Sequence, residues 1–179
     1  CKWDSVIPFE PMWKELKRII KPNGAIVLFG SEPFSSALRM SNIKQYKYDW
    51  IWNKSKAWNF ASAKIQPLKQ HEIISVFYKN KPTYNPIKTK IEKGKIRNFT
   101  NKCKKSSITW MNVIYSEDYD NSMKYPISIL NYNATMNECN SKHRLHPTQK
   151  PVAIIEYLIK TYTNEWETVL DFTSGTGTD

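Results

Sequence analysis

Apolar and polar positions in the first part of the chain predict a helix followed by a short apolar strand. In residues 9–20 the apolar side chains recur at three- and four-residue steps, with the lysines largely off that face. This pattern predicts a helix that ends at Pro22-Asn23-Gly24. Residues 25–29 are wholly apolar, which is typical of a central parallel strand covered on both faces.

The next segment predicts a second helix and two further strands. Pro33 opens a shorter helical stretch, and residues 46–53 have the aromatics and the alternation of a strand. Residues 71–78 read as another buried strand, whose His71 is more often a structural residue than a catalytic base. Between them, Trp58 and Phe60 lie among lysines on a polar loop. They either stack on an extruded base beside phosphate-binding lysines, or simply pack the loop onto the domain.

The last third of the chain predicts a helix, a strand and a glycine-rich loop. After Pro151 the apolar residues return at helical spacing as far as Tyr162. Residues 168–172 then read as a buried strand, and Gly175 and Gly177 follow it. An acid at the end of such a strand, with glycines that let the backbone approach a ligand, is a recurring design for nucleotide-like cofactors. By itself an ordinary strand-to-helix turn explains the glycines equally well.

The middle of the chain, residues 79–142, has a different character. Its first part is dense in lysine, has Glu92 as its single acid before residue 106, and shows little apolar periodicity, so we predict a long excursion from the sheet. Residues 109–115 are a candidate short strand. The alternative is a surface loop whose charge only keeps it solvated. The candidate residues for contact with the phosphates of a nucleic acid are Lys81, Lys88, Lys90, Lys93, Lys95, Arg97, Lys102, Lys104 and Lys105.

Composition and charge favour an anionic partner. The 179 residues include 27 Lys and Arg against 16 Asp and Glu, for a net charge of +11, which favours nucleic acid unless the source organism simply has lysine-rich proteins. Cys1, Cys103 and Cys139 lack the spacing of zinc sites or disulfide frameworks, so we expect no metal and a reducing cytoplasm. No apolar run is long enough for a membrane span, and we expect a soluble chain.

Two motifs in the last third resemble one known family. The hexapeptide 146–151, His-Pro-Thr-Gln-Lys-Pro, precedes the helix, and the loop 171–177, Asp-Phe-Thr-Ser-Gly-Thr-Gly, follows it. In this order and spacing they resemble the permuted, beta-class amino-methyltransferases of bacteria and phages, which methylate adenine N6 or cytosine N4 in DNA with S-adenosylmethionine. The strands near Phe29, Trp52 and His71 resemble consecutive strands of that family. The family often places its aromatic two residues after the acid, where this chain has Thr173.

The resemblance implies a fold and a division of the chain. It implies a three-layer, mostly parallel, Rossmann-like α/β sheet with a basic insertion. Residues 1–78 would be the strands and helices of the catalytic half, and 79–142 the target-recognition insertion, which reads the DNA sequence. Residues 143–179 would be the cofactor segment.

The resemblance also implies ligands and site residues. The cofactor would be S-adenosylmethionine, the partner double-stranded DNA, and a cognate restriction endonuclease a further candidate partner. Lys150 would meet the carboxylate of the cofactor, although without the hexapeptide it would read as a solvated lysine at a helix entry. The implied cofactor-binding residues are His146, Thr148, Lys150, Asp171, Phe172, Gly175 and Gly177.

The catalytic element of the family is not in this sequence. Relatives carry an acid-Pro-Pro-aromatic tetrapeptide after a strand that would precede Cys1, and no such tetrapeptide occurs here. We therefore name no catalytic residue and expect a fragment of a longer protein, inactive by itself. The parent protein would methylate adenine N6 in a specific DNA sequence. The alternatives are cytosine N4 methylation, or an inactive DNA-binding remnant.

Overall fold

The computed structural model describes residues 5–92, 122–133 and 149–173. None of the helices in these ranges is long and apolar enough to cross a membrane. A single-turn 3-10 helix, Phe60–Ser62, lies between the second and third strands. The elements in chain order are α1 (Phe9–Ile19), β1 (Ile26–Gly30), α2 (Phe34–Ser41), β2 (Tyr46–Trp58), β3 (Lys69–Phe77), β4 (Thr89–Lys90), β5 (Met123–Lys124), β6 (Ile129–Asn131) and α3 (Val152–Tyr162).

Four strands form one mixed sheet in the order β1-β3-β2-β6. Strand β3 is antiparallel to both β1 and β2, and only the pairing of β2 with β6 is parallel. The prediction of a mostly parallel sheet is therefore wrong for the described strands. The reason is the short connection from Trp58 to Lys69: parallel neighbours need a crossover of about a dozen residues or more, so β3 turns back beside β2.

Helices cover the two faces of this sheet. Successive side chains of a strand point to opposite faces, so Val76 of β3 lies in one core cluster and Phe77 in the other. Helix α3 packs on the first face, and α1 and α2 pack on the second. The first cluster contains Trp50, Trp52, Ile74, Val76, Leu130, Ile154, Leu158 and Tyr162. The second contains Trp13, Leu16, Ile26, Leu38 and Phe77.

A buried group of hydroxyl and indole donors joins α3 to β2. The indole nitrogen of Trp50 donates to the Tyr162 hydroxyl at 2.7 Å, and the Tyr48 and Tyr162 hydroxyls share a hydrogen bond of 2.8 Å. Burial, together with the bond to Tyr48, raises the pKa of Tyr162 far above its usual range. The hydroxyl therefore stays protonated, and the end of α3 is held at a defined position on the sheet.

The chain divides into two compact units. The first consists of Cys1–Asn85 and Ile127–Asp179, and the second is Pro86–Pro126, where β4 pairs antiparallel with β5. Within the first unit, the residues that flank the second are held by backbone hydrogen bonds. The amide of Asn85 donates to Thr161 O at 2.8 Å, and the amide of Ile51 donates to Ser128 O at 2.7 Å.

The helix predictions are confirmed, whereas one strand prediction is wrong. All three helices lie where the apolar spacing puts them. Residues 168–172 form no strand, and Val169 and Leu170 are exposed. A strand needs a neighbour for its backbone groups, and in the part of the chain that the structure describes no strand pairs with this segment. The candidate strand at 109–115 lies outside the described residues.

Candidate cofactor site at the edge of the sheet

The carboxyl ends of β1 and β6 lie at one edge of the sheet, and the β2–β3 hairpin continues past them. In the strand register Gly30 of β1 lies opposite Ile73, and Asn53 of β2 lies opposite His71. The carboxyl end of β1 therefore lies beside the first half of β3, level with the middle of β2. In α/β sheets this is the edge where ligands bind.

A buried carboxylate is the centre of this edge. Glu72 faces Trp52 across the β2–β3 pair, and its side chain is only 14% exposed. Lys54 donates a hydrogen bond to Oε1, and Nζ of Lys150 lies 3.0 Å from Oε2. Burial by itself would raise the pKa of Glu72, but the two lysines outweigh it and hold the pKa below its usual value. Glu72 is therefore ionised at neutral pH.

Aromatic rings surround the two ammonium groups. Nζ of Lys150 lies 5.4 Å from the ring centre of Phe29 and 5.7 Å from that of Trp52, and Nζ of Lys54 lies 5.0 Å from the Trp52 ring. The two rings meet edge to face at 6.3 Å. Cations at such distances gain roughly 0.5 to 2 kcal/mol from a ring. Lys150 is therefore packed at the sheet edge, and the alternative of a solvated lysine at a helix entry does not apply.

The cluster of Lys54, Glu72 and Lys150 carries surplus positive charge. Two ammonium groups share one carboxylate, which leaves a net charge of +1 in a partly buried place. No donor in the described ranges is aligned with Oε2 well enough for a hydrogen bond, so the contact with Lys150 is a charge pairing. The chemistry of this set fits an anionic ligand group, since a second carboxylate would neutralise the surplus.

Close packing of α2 leaves no room for a side chain at the end of β1. A Cβ atom on Gly30 would lie 2.6 Å from Oγ of Ser35 and 3.2 Å from a ring carbon of Phe34. The first of these contacts is too short for a real Cβ, so a side chain here would require the buried Ser35 hydroxyl to move.

The remaining predicted cofactor residues are only partly described. Oδ1 of Asp171 accepts from the amide of Thr173 at 2.7 Å and from its hydroxyl at 2.9 Å, a local turn at the start of the glycine loop. Phe172 is 38% exposed. The other four lie outside the described residues: His146, Thr148, Gly175 and Gly177.

Three of the predicted DNA-binding lysines are described, and all are exposed. Lys81 follows β3 in the first unit. In the second unit, Nζ of Lys88 lies 4.5 Å from the ring centre of Tyr125, and Lys90 lies on β4. The remaining predicted residues lie outside the described ranges: Lys93, Lys95, Arg97, Lys102, Lys104 and Lys105.

Neither Glu72 nor Lys54 was predicted from the sequence to be a site residue. The signal available for Glu72 was an acid at the start of an otherwise apolar strand, since such a carboxylate needs a cation when it is buried. The identity of that cation was not available, because Lys150 is distant in sequence and reaches Glu72 only in the folded chain.

Comparison with known proteins identifies a family and several similar solved structures. The family model N6_N4_Mtase, described as DNA methylase, matches residues 2–178. The crystal structure of the M1.HpyAVI-SAM complex aligns with a TM-score of 0.52 and 16% identity, covering 88% of this chain. The chain spans 64% of the length of that protein. No curated protein matches the sequence.

Proposed function

The chain belongs to the DNA methylase family, and from that membership we propose that the protein transfers a methyl group from S-adenosylmethionine to N6 of adenine in a specific sequence of double-stranded DNA. Cytosine N4 is the alternative acceptor, since the family includes both activities. The observation that carries the proposal is the cluster of Lys54, Glu72 and Lys150 at the ligand-binding edge of the sheet.

The surplus charge of this cluster suits the methionine end of the cofactor. Lys150 would bind the carboxylate of that end, while Glu72 and the ring of Phe29 hold the lysine in position. When bound, S-adenosylmethionine supplies a methyl group on a positively charged sulfur. Asp171, at the start of the glycine loop, would accept a hydrogen bond from a polar group of the same ligand.

The basic residues would supply the affinity for DNA. Lys81, Lys88 and Lys90 are exposed and free of the sheet core, as contacts to phosphates require. Each phosphate contact adds to the release of counterions, so binding should weaken steeply as salt rises. We propose that residues 79–142 carry the target-recognition role and 143–179 the cofactor role.

Calorimetric titration of S-adenosylmethionine tests the cofactor assignment. Lys150→Ala should weaken binding by about tenfold to a hundredfold, because a hydrogen bond to a charged group is worth roughly 1.5 to 3 kcal/mol. Lys160→Ala is the matched control, since Lys160 pairs with Glu156 on the exposed side of α3. Equal affinities of the two variants, or no binding by the unaltered chain, would contradict the assignment.

Sequencing of modified bases tests the acceptor. DNA from cells that express the complete gene should carry N6-methyladenine at one recurring sequence, absent from cells without the gene. N4-methylcytosine at such a sequence would establish the alternative acceptor. Unmodified DNA in both cultures would refute the proposed activity.

A further inference from the structure

The outer half of the β2–β3 hairpin exposes large apolar side chains. We call residues 56–69 the hairpin tip. Trp58, Phe60 and Ile65 are 45%, 70% and 86% exposed, so Phe60 does not pack the loop onto the domain, whereas Trp58 is half covered. Nothing in the stability of the sheet requires such residues there, and exposed apolar groups in one place commonly mark a binding surface.

The backbone of the hairpin tip is internally ordered. Asn59 has a φ of 70°, a left-handed conformation that asparagine tolerates. The amides of Ser62 and Ile65 donate to Asn59 O at 3.0 Å and to Ser62 O at 2.9 Å. A turn that is already formed presents Phe60 with little further loss of conformational entropy on binding.

The charge of the hairpin tip identifies the class of partner. No acidic residue occurs between Asn53 and His71, whereas Lys56, Lys64 and Lys69 are exposed around the apolar side chains. This surface would attract an anionic partner and repel a second copy of a chain with a net charge of +11. Proteins bind nucleic acids with lysines that contact phosphates, next to aromatic rings that stack on bases.

The hairpin tip projects from the edge of the sheet that carries the candidate cofactor site. Strand β2 runs from Trp52, beside Lys150, outward to Trp58. Strand β2 bulges between Asn53 and Trp58, so this stretch spans only the three steps of β3 from Glu72 to Lys69. At about 3.3 Å per residue, Trp58 lies about 10 Å along the hairpin from the cluster. DNA with its target base at the cofactor would therefore pass within reach of the tip.

We propose that the hairpin tip binds duplex DNA beside the target base. The lysines contact phosphates, and Phe60, the exposed aromatic at the turn, stacks into the space that the target base leaves when it moves out of the helix. This inference rests on the proposed function, since it requires a DNA substrate and a displaced base.

Fluorescence anisotropy with two labelled duplexes of one mixed sequence tests the tip. One duplex is intact, and the other carries a single abasic site that imitates the vacated position. The unaltered protein should bind the abasic duplex about tenfold more tightly, because the Phe60 ring can stack in the vacant position without displacing a base. Phe60→Ala should reduce that preference to less than about twofold. Met40→Ala, at a 69% exposed apolar position on α2, is the control and should keep the preference.

A second variant tests the lysines. Replacement of Lys56, Lys64 and Lys69 by alanine should weaken binding to both duplexes alike, and lower the slope of log affinity against log salt by about three. A preference that survives Phe60→Ala would overturn the proposal and leave the methyltransferase assignment intact. Binding to neither duplex by the unaltered protein would contradict both proposals. Self-association in sedimentation that Phe60→Ala abolishes would assign the tip to a dimer contact instead.

Discussion

The two halves of the β2–β3 hairpin have similar residues and opposite environments. In the inner half Trp50 and Trp52 are at most 4% exposed, whereas in the outer half Trp58 is half-exposed and Phe60 is largely open to solvent. The difference lies in what covers them: α3 packs over the inner half, and the outer half extends past the edge of the sheet. Aromatic content therefore does not decide burial. The inner half stabilises the fold, and the outer half is available to a ligand.

The largest expected effect is on the free energy of unfolding, which substitutions in the two halves should change to different extents. Ile74→Ala should lower the free energy of unfolding by about 3 to 5 kcal/mol, because Ile74 is fully buried and its loss leaves a cavity under α3. Ile65→Ala, the same substitution in the hairpin tip, should change it by less than about 0.5 kcal/mol. Urea unfolding of both variants makes the measurement. Similar losses would contradict the division between a structural and an available half.

The boundary between the halves is sensitive to pH. Glu72→Gln should lower the free energy of unfolding by about 2 to 4 kcal/mol at pH 7, because Lys54 and Lys150 lose their shared carboxylate. The pKa of Glu72 is lower in the folded chain than its usual value of 4.5, so its contribution is complete above that value and is lost as pH falls below it.

Unfolding midpoints of Glu72→Gln and the unaltered protein should therefore converge as pH falls from 5 towards 3. Glu15→Gln, on the exposed pair of Glu15 with Arg18, is the control and should behave as the unaltered protein at every pH. A constant gap between Glu72→Gln and the unaltered protein would show that the charge of Glu72 is not what stabilises this edge.

The smallest expected effect concerns the polar contacts within the inner half. Tyr162→Phe should lower the free energy of unfolding by about 1 to 2 kcal/mol, because the Trp50 indole and the Tyr48 hydroxyl lose their shared partner. Val152→Ala, at an exposed position on the same helix, is the comparison and should be close to neutral. A free energy of unfolding that Tyr162→Phe leaves unchanged would mean that packing alone holds α3 on the sheet.

Local pattern was sufficient for the helices and for the existence of β1, β2 and β3. The spacing of Leu158 and Tyr162 requires one buried helical face, and that information lies within one segment. Strand direction was predicted wrongly, because an apolar run such as β1 is equally compatible with antiparallel neighbours when both faces are covered. The pairing of β3 between β1 and β2 depends on the whole chain.

The candidate site was predictable only in part, and for a similar reason. The hexapeptide drew attention to Lys150 through a family resemblance, but its contacts with Glu72 and Phe29 join distant parts of the sequence. From the sequence, Phe60 could either contact a ligand from the loop or pack the loop onto the domain. Only the packed structure distinguishes them, since burial depends on which elements lie above a residue.

The anchored ends of Pro86–Pro126 have a consequence for how this protein can change. The residues on either side are tied to the sheet unit, Asn85 through Thr161 and Ser128 through Ile51. A replacement segment needs only to meet these two junctions, and the entropy of closing a loop grows slowly with its length. Evolution or laboratory grafting can therefore replace this whole segment with another while the sheet keeps its packing.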